Sequence, residues 1–122
     1  MAAIKSYTDI EQSKKLSEIL PLESADMYYL AKPDNTNSNM VASDICIPRR
    51  SENDGQAFGE ACAWSLTALF KLLPKSARLE KGNVTELYRV ILPVELETSD
   101  WYIDPVDACV VMIERLYELN FL

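Results

Sequence analysis

The residue best suited to nucleophilic chemistry is Cys62. It lies just before a predicted helix, and the free backbone N–H groups at a helix N-terminus lower the pKa of a nearby thiol. Free cysteine is also among the most buried residue types. We therefore expect Cys62 to be a small core residue, and no catalytic residue is predicted.

A second group of side chains has the composition of a ligand pocket. Arg49 and Arg50 are adjacent in a predicted loop, and a guanidinium can bind an anion through two hydrogen bonds. Ser65 could face a ligand, although serine at a helix start is more often a cap. Trp101 could fill a core or build a binding surface. The residues that could converge on such a pocket are Asp26, Tyr28, Arg49, Trp64, Ser65 and Trp101.

Several kinds of chemistry lack their usual residues. The sequence contains no histidine, which removes the Ser-His-Asp and Cys-His arrangements and the commonest metal ligand. A calcium loop starting at Asp34 would need glycine at its sixth position and glutamate at its twelfth. The sequence has Asn39 and Ile45 there. With three glycines, the chain also lacks a glycine-rich phosphate loop. We predict no metal site and no cofactor.

Composition restricts the partners and the compartment. The chain has 12 basic and 19 acidic residues, a net charge of -7, which repels phosphate backbones, so no nucleic-acid partner is predicted. The longest wholly apolar run, residues 108–113, is far shorter than the ~20 residues that span a bilayer, so no membrane partner is predicted. Three widely spaced cysteines do not form a disulfide framework. Together with the absence of an apolar N-terminal signal, they predict a cytoplasmic protein.

The first half of the chain predicts one helix and one β-hairpin. Thr8 and Glu11 have the spacing of a capping box at the start of a helix that ends near residue 20. Residues 26–32 and 40–47 are rich in aromatic and β-branched side chains, which favours strands. The turn-forming residues between them predict that the two strands form a hairpin.

The second half predicts a buried helix, a strand and a final helix. Residues 64–73 are apolar on nearly every side, which is typical of a buried helix. Residues 85–96 predict a strand, with residues 77–81 as its short hairpin partner. Asp104 followed by proline predicts the start of the last helix. This order indicates a single α+β domain over residues 1–122, in which a small antiparallel β-sheet packs against about three helices, one of them central and buried.

Three segments carry a resemblance to a known family. They are EQSKKLSEILPLESADMYY (residues 11–29), WSLTALFKLLP (residues 64–74) and DPVDACVVMIERLYELNFL (residues 104–122). Together they resemble a family of small uncharacterised proteins of gut Bacteroidales and their mobile elements. The resemblance implies no catalytic residues. Members of that family often have cysteine directly before the tryptophan, a position that holds Ala63 here, one residue after Cys62.

These observations favour a non-enzymatic module of the bacterial cytoplasm that binds or regulates another protein or associates with itself. Leu119, Phe121 and Leu122, near the C-terminus, are expected to pack back on the domain or to join an interface. The alternative is a pocket for a small, anionic ligand, with or without weak catalysis, built from the six residues given above. Inward-pointing polar groups would favour the pocket, and a flat apolar patch would favour a protein partner.

Overall fold

The computed structural model describes residues 5–36, 39–95 and 97–121. Its strands form two antiparallel sheets of three strands each. The predicted α+β class is therefore confirmed, with the strands divided between two small sheets. The elements are α1 (Ile10–Ile19), a 3-10 turn (Leu22–Ser24), β1 (Met27–Pro33), β2 (Met40–Pro48), β3 (Ala61–Ala63), α2 (Leu66–Leu72), β4 (Arg78–Lys81), β5 (Tyr88–Leu92), β6 (Glu97–Thr98) and α3 (Pro105–Glu118).

Contacts within the chain divide it into two compact units. One unit is Tyr7–Ser65, and the other comprises the described residues of Met1–Ser6 and Leu66–Leu122. The first unit contains the sheet with strand order β2-β1-β3, and the second contains the sheet with order β4-β5-β6. The single domain boundary over residues 1–122 stays a prediction.

α1 uses a different capping residue from the one predicted. Asp9 is the N-cap: its carboxylate accepts a hydrogen bond from the Gln12 N–H at 2.8 Å, and the Gln12 side chain accepts one from the Asp9 N–H at 3.1 Å. Thr8 is buried, and its hydroxyl lies 2.8 Å from the Ser13 hydroxyl and accepts a hydrogen bond from the Trp64 N–H. The prediction that Thr8 caps the helix is therefore wrong, because burial gives its hydroxyl other partners.

The predicted hairpin is confirmed in the first unit. β1 and β2 pair antiparallel from Met27 opposite Pro48 to Pro33 opposite Met40, with a bulge near the middle of the pairing. The three-residue strand β3, which the sequence analysis did not predict, pairs with the other edge of β1 and packs against α1. Tyr29 lies buried in β1 and donates a hydrogen bond from its hydroxyl to the Thr8 carbonyl at 2.8 Å.

The helix predicted over residues 64–73 is shorter than expected. α2 covers Leu66–Leu72, because strand β3 extends to Ala63 and Trp64 still precedes the helix. Leu69 is fully buried, whereas the side of the helix that carries Phe70 is partly exposed. The helix therefore buries one face. Part of its other face is open to solvent, although that face is also apolar.

β5 is the central strand of the second sheet. It pairs antiparallel with β4, the predicted hairpin partner, and with β6. Val90 and Leu92 of β5 are buried on the face against which α3 packs. The strand is shorter than the predicted residues 85–96, because Pro93 ends the pairing. Leu96, at the predicted end, lies outside the described residues, as does Leu122, which was expected to pack back on the domain or to join an interface.

α3 begins as predicted, with Asp104 at the N-cap position and Pro105 at the first helical position. The Asp104 carboxylate accepts a hydrogen bond from the Lys5 N–H at 2.9 Å, and the Lys5 ammonium forms an ion pair with Asp107 at 2.7 Å. α3 supplies most of the buried helical surface of this unit. Its buried residues are Pro105, Val106, Ala108, Cys109, Val110, Met112, Ile113 and Leu116.

Candidate functional site

The structure brings Asp26 and Ser65 together in the first unit. Asp26 lies directly before β1, and its carboxylate accepts hydrogen bonds from the Ser65 N–H at 2.8 Å and from the Ser65 hydroxyl. The contact links residues 39 positions apart in the sequence. The Asp26 carboxylate and the Ser65 hydroxyl thus bind each other, and the contact ties the start of β1 to the segment after β3.

Arg49 is used mainly to hold the backbone in place. Its N–H donates to the Asp26 carbonyl at 2.9 Å. Its guanidinium donates to the carbonyl groups of Ala25 at 3.0 Å, Glu52 at 2.7 Å and Leu22. The Nε atom is buried and has no hydrogen-bond partner among the described residues. Arg49 therefore joins the 3-10 turn to the end of β2, and little of its donor capacity faces a ligand.

The cleft beside Arg49 is acidic. It has a volume of about 310 Å³, and an anion inside it would meet more carboxylates than guanidinium groups. Such an arrangement opposes anion binding. The lining residues are Glu23, Ala25, Asp26, Arg49, Arg50, Ser51 and Glu52.

Trp64 is a core residue. Its side chain is fully buried, its indole N–H donates to the Ser24 hydroxyl at 2.9 Å, and its backbone N–H donates to the Thr8 hydroxyl at 3.1 Å. Both polar groups of Trp64 thus have partners inside the protein, as buried tryptophan requires. Trp64 lies before helix α2, although the helix was predicted to begin there, and its buried ring is not available to a ligand.

Tyr28 lies in the middle strand of its sheet, opposite Ile47 of β2 and Cys62 of β3. Burial raises the pKa of its hydroxyl, and the negative charges of Asp54 and Glu60 raise it further. The Tyr28 hydroxyl therefore stays protonated at neutral pH, which suits a hydrogen-bond donor and not a base.

Cys62 lies in β3 and is buried, and its thiol is directed at the Gly55 carbonyl, 3.5 Å away. Burial raises the pKa of the Cys62 thiol above its ordinary value of 9.0; Arg49 opposes this effect and Glu60 adds to it. The expectation that Cys62 is a small core residue agrees with this position. The helix N-terminus that would have activated it is not adjacent, because Cys62 is inside a strand.

Trp101, the sixth candidate residue, belongs to the second unit and takes part in a different site. The Arg89 guanidinium lies over the Trp101 ring, 4.4 Å from its centroid, within the range of a cation–π interaction. Arg89 also donates from Nε to Glu80 at 2.9 Å and forms an ion pair with the same carboxylate at 2.7 Å. Glu80 of β4 and Arg89 of β5 are cross-strand partners.

The side chains of Glu80, Arg89 and Trp101 form one wall of a cleft of about 610 Å³. The rest of the cleft comes from Lys81 of β4 and from the loop between β4 and β5, which is closed by a hydrogen bond from the Gly82 N–H to the Leu87 carbonyl at 2.9 Å. Val84 at the tip of the loop is 97% exposed, and Trp101 is 39% exposed. The cleft therefore presents an aromatic ring, a guanidinium and apolar surface to solvent. Its lining residues are Glu80, Lys81, Gly82, Asn83, Val84, Thr85, Leu87, Arg89 and Trp101.

An apolar groove lies between α2 and β4. It has a volume of about 450 Å³ and is lined by Leu66, Thr67, Phe70 and Lys71 of α2 and by Leu79 of β4. Sequence analysis missed this groove, because the apolar composition of α2 predicted burial on every side. It also missed Arg89, although alternation along β5 places Arg89 on the face opposite Val90.

The described parts of the chain contain neither a metal-binding cluster nor a membrane-spanning helix. No group of three or more cysteine and acidic side chains is arranged to hold a metal ion. No described helix combines the length and the apolar character needed to cross a membrane.

No protein-family model, curated protein or solved structure matches this chain. The resemblance of residues 11–29, 64–74 and 104–122 to a family therefore stays a prediction.

Proposed function

We propose that this protein is a non-enzymatic module that binds another protein, and that Glu80, Arg89 and Trp101 form the centre of the binding surface. The observation that carries the proposal is the exposed Trp101 ring with the Arg89 guanidinium stacked on it. Tryptophan and arginine are the residue types most enriched among those that dominate binding energy at protein interfaces.

The geometry around Trp101 supports binding because the side chains are already held in place. Glu80 fixes the Arg89 guanidinium through two contacts, and Arg89 in turn covers the ring. A side chain that is ordered before binding loses less conformational entropy on complex formation. The exposed Val84 at the rim adds apolar area for a partner to cover.

A small-molecule pocket receives less support. The Arg49 guanidinium donates hydrogen bonds to backbone carbonyl groups, the Asp26 carboxylate accepts a hydrogen bond from Ser65, and Trp64 is buried. The alternative therefore lacks the convergent, available polar groups that ligand sites use.

We further propose that the protein works in the bacterial cytoplasm. All three cysteines are free thiols in the structure, and thiols persist in reducing compartments. The resemblance to proteins of Bacteroidales supports the bacterial setting.

Affinity capture from a lysate of the cells that encode the protein tests the function. The immobilised baits are the wild type, Trp101→Ala, and Phe58→Ala as a matched control, since Phe58 is also an exposed aromatic residue. We expect at least one protein to bind the wild type and Phe58→Ala and to be depleted about tenfold or more on Trp101→Ala, as for a residue that dominates an interface. If every captured protein binds all three baits equally, the proposed surface is wrong.

A further inference from the structure

β4 has an open edge. The Val90 N–H of β5 donates to the Ser99 hydroxyl, and the Val90 carbonyl accepts from the Ser99 N–H, each at 2.9 Å. The backbone N–H and carbonyl groups of Tyr88 and Tyr102 bind each other in the same way, each at 2.7 Å. In an antiparallel pair, hydrogen-bonded and non-hydrogen-bonded pairs alternate. The β4 partners of Val90 and Tyr88, which are Leu79 and Lys81, therefore point their backbone groups away from β5.

No other strand pairs with that edge among the described residues. Leu79 and Lys81 thus offer two N–H donors and two carbonyl acceptors in strand geometry. Such an edge is a template for an added strand.

The apolar groove lies beside this edge. Leu79 shares a face of the sheet with its cross-strand partner Val90, and its side chain lines the groove together with Leu66 and Phe70. Successive side chains of a strand point to opposite faces. Every second side chain of an added strand would therefore face the groove on α2, where apolar side chains fit best.

Charge selects the chemistry of the added strand. Residues 66–81 contain four of the twelve basic residues and one of the nineteen acidic ones, although the whole chain has a net charge of -7. None of the four takes part in an ion pair among the described residues, and all four are exposed. They are Lys71, Lys75, Arg78 and Lys81.

We propose that the edge of β4 receives an extended segment of the partner protein that is rich in acidic and apolar residues and joins the sheet as a fourth strand. This inference rests on the proposed protein-binding function and adds its mode and the class of partner. Main-chain hydrogen bonds to Leu79 and Lys81 provide affinity, and the groove and the basic residues provide specificity. Pairing between the β4 edges of two copies is disfavoured, because it would bring the basic residues of both copies together.

Fluorescence anisotropy with synthetic peptides tests this mode of binding. The probe is a fluorescein-labelled peptide of roughly eight residues, a common strand length, in which glutamate and valine alternate. The control peptide has lysine in place of glutamate. The key variant is Lys81→Pro, which removes an outward-facing N–H that β5 does not use, and edge positions of this kind tolerate proline. Lys81→Ala is its matched control, because it removes the same charge and keeps the N–H.

We expect the glutamate peptide to bind the wild type and the lysine peptide to bind at least about tenfold more weakly. Lys81→Pro should bind the glutamate peptide about three- to tenfold more weakly than Lys81→Ala, the effect of one lost hydrogen bond. If thermal unfolding shows that Lys81→Pro is not folded, Leu79→Ser takes its place and should weaken binding through the groove alone. Equal binding of the two peptides, or equal binding by the wild type and the folded edge variants, would overturn strand addition.

Two results separate this inference from the proposed function. A protein whose capture requires Trp101 but is unaffected by Lys81→Pro would leave the proposed function intact and refute strand addition. A wild-type dimer in light scattering that Lys81→Pro dissociates would show that a second copy occupies the edge, which also refutes an acidic partner segment.

Discussion

Arg49 joins three backbone carbonyl groups through one guanidinium. Lysine carries the same charge but lacks the planar fork of donors that reaches several acceptors at once. We therefore expect Arg49→Lys to lower the free energy of unfolding by about 1–3 kcal/mol. The control is Arg50→Lys, at the neighbouring exposed residue, which should change stability by less than about 0.5 kcal/mol. Urea denaturation of both variants measures the difference, and equal effects would contradict a structural role for Arg49.

The thiol pKa values predict slow cysteine chemistry in the folded protein. Burial raises the pKa of Cys46 to about 11 and that of Cys109 to about 12, and it raises that of Cys62 as well. The reactive thiolate is therefore scarcer at neutral pH than in free cysteine. Cys62 should react with a disulfide reagent no faster than the other two, and all three should react faster in urea. Selective labelling of Cys62 in the folded state at neutral pH would restore it as a nucleophile.

The same thiols give the fold a dependence on alkaline pH. Their pKa values in the fold lie above the ordinary value of 9.0, so the unfolded chain loses its thiol protons first as pH rises. The stabilising effect of the protonated thiols is complete below pH 9 and is lost as pH rises towards 11 and 12. Urea midpoints of the wild type and Cys109→Ala should therefore converge as pH rises through this range. A constant gap between the two midpoints would contradict the raised pKa of Cys109.

At the scale of elements, α2 has one buried face and one face on the groove. Leu69 is fully buried, and Phe70 is only partly buried at the groove. Leu69→Ala should cost about 2–5 kcal/mol because it opens a cavity. Phe70→Ala should cost less by at least about 1 kcal/mol, since part of its ring already contacts water. Chemical denaturation compares the two, and equal losses would mean that Phe70 is a core residue.

The elements that sequence reasoning located are those with a long apolar pattern or a distinctive end. α3 has both, and the hairpin of β1 and β2 is marked by alternation and turn formers. β3 and β6 have three and two residues, which is too few for an alternation of apolar and polar side chains to be recognised. The cap of α1 was assigned to Thr8 with Glu11, although Asp9 and Gln12 have the same spacing. Thr8 is buried beside Trp64 and its hydroxyl binds there, so Asp9 caps the helix. The local sequence does not contain that information.

For the whole molecule, the predicted site residues have separate roles. Asp26 and Ser65 meet because β3 pairs with β1, a long-range pairing that no local pattern encodes. Arg49 contacts Asp26 through the predicted hairpin of β1 and β2. Arg89 and Trp101 meet because the segment after β6 returns to β5, where Tyr88 and Tyr102 pair. Side chains that come together only through tertiary pairing of this kind cannot be grouped from the sequence alone.

The most direct test of the protein-binding function is crosslinking inside the cells that encode the protein. A photoreactive phenylalanine derivative replaces Val84, at the rim of the Trp101 cleft, and in a separate variant replaces Ile45, an exposed residue of β2 in the other unit. The account predicts that position 84 forms a covalent adduct with a distinct protein, that position 45 does not, and that Trp101→Ala in the same chain removes the adduct. An absence of adducts at position 84, or the same adducts from both positions, would contradict it.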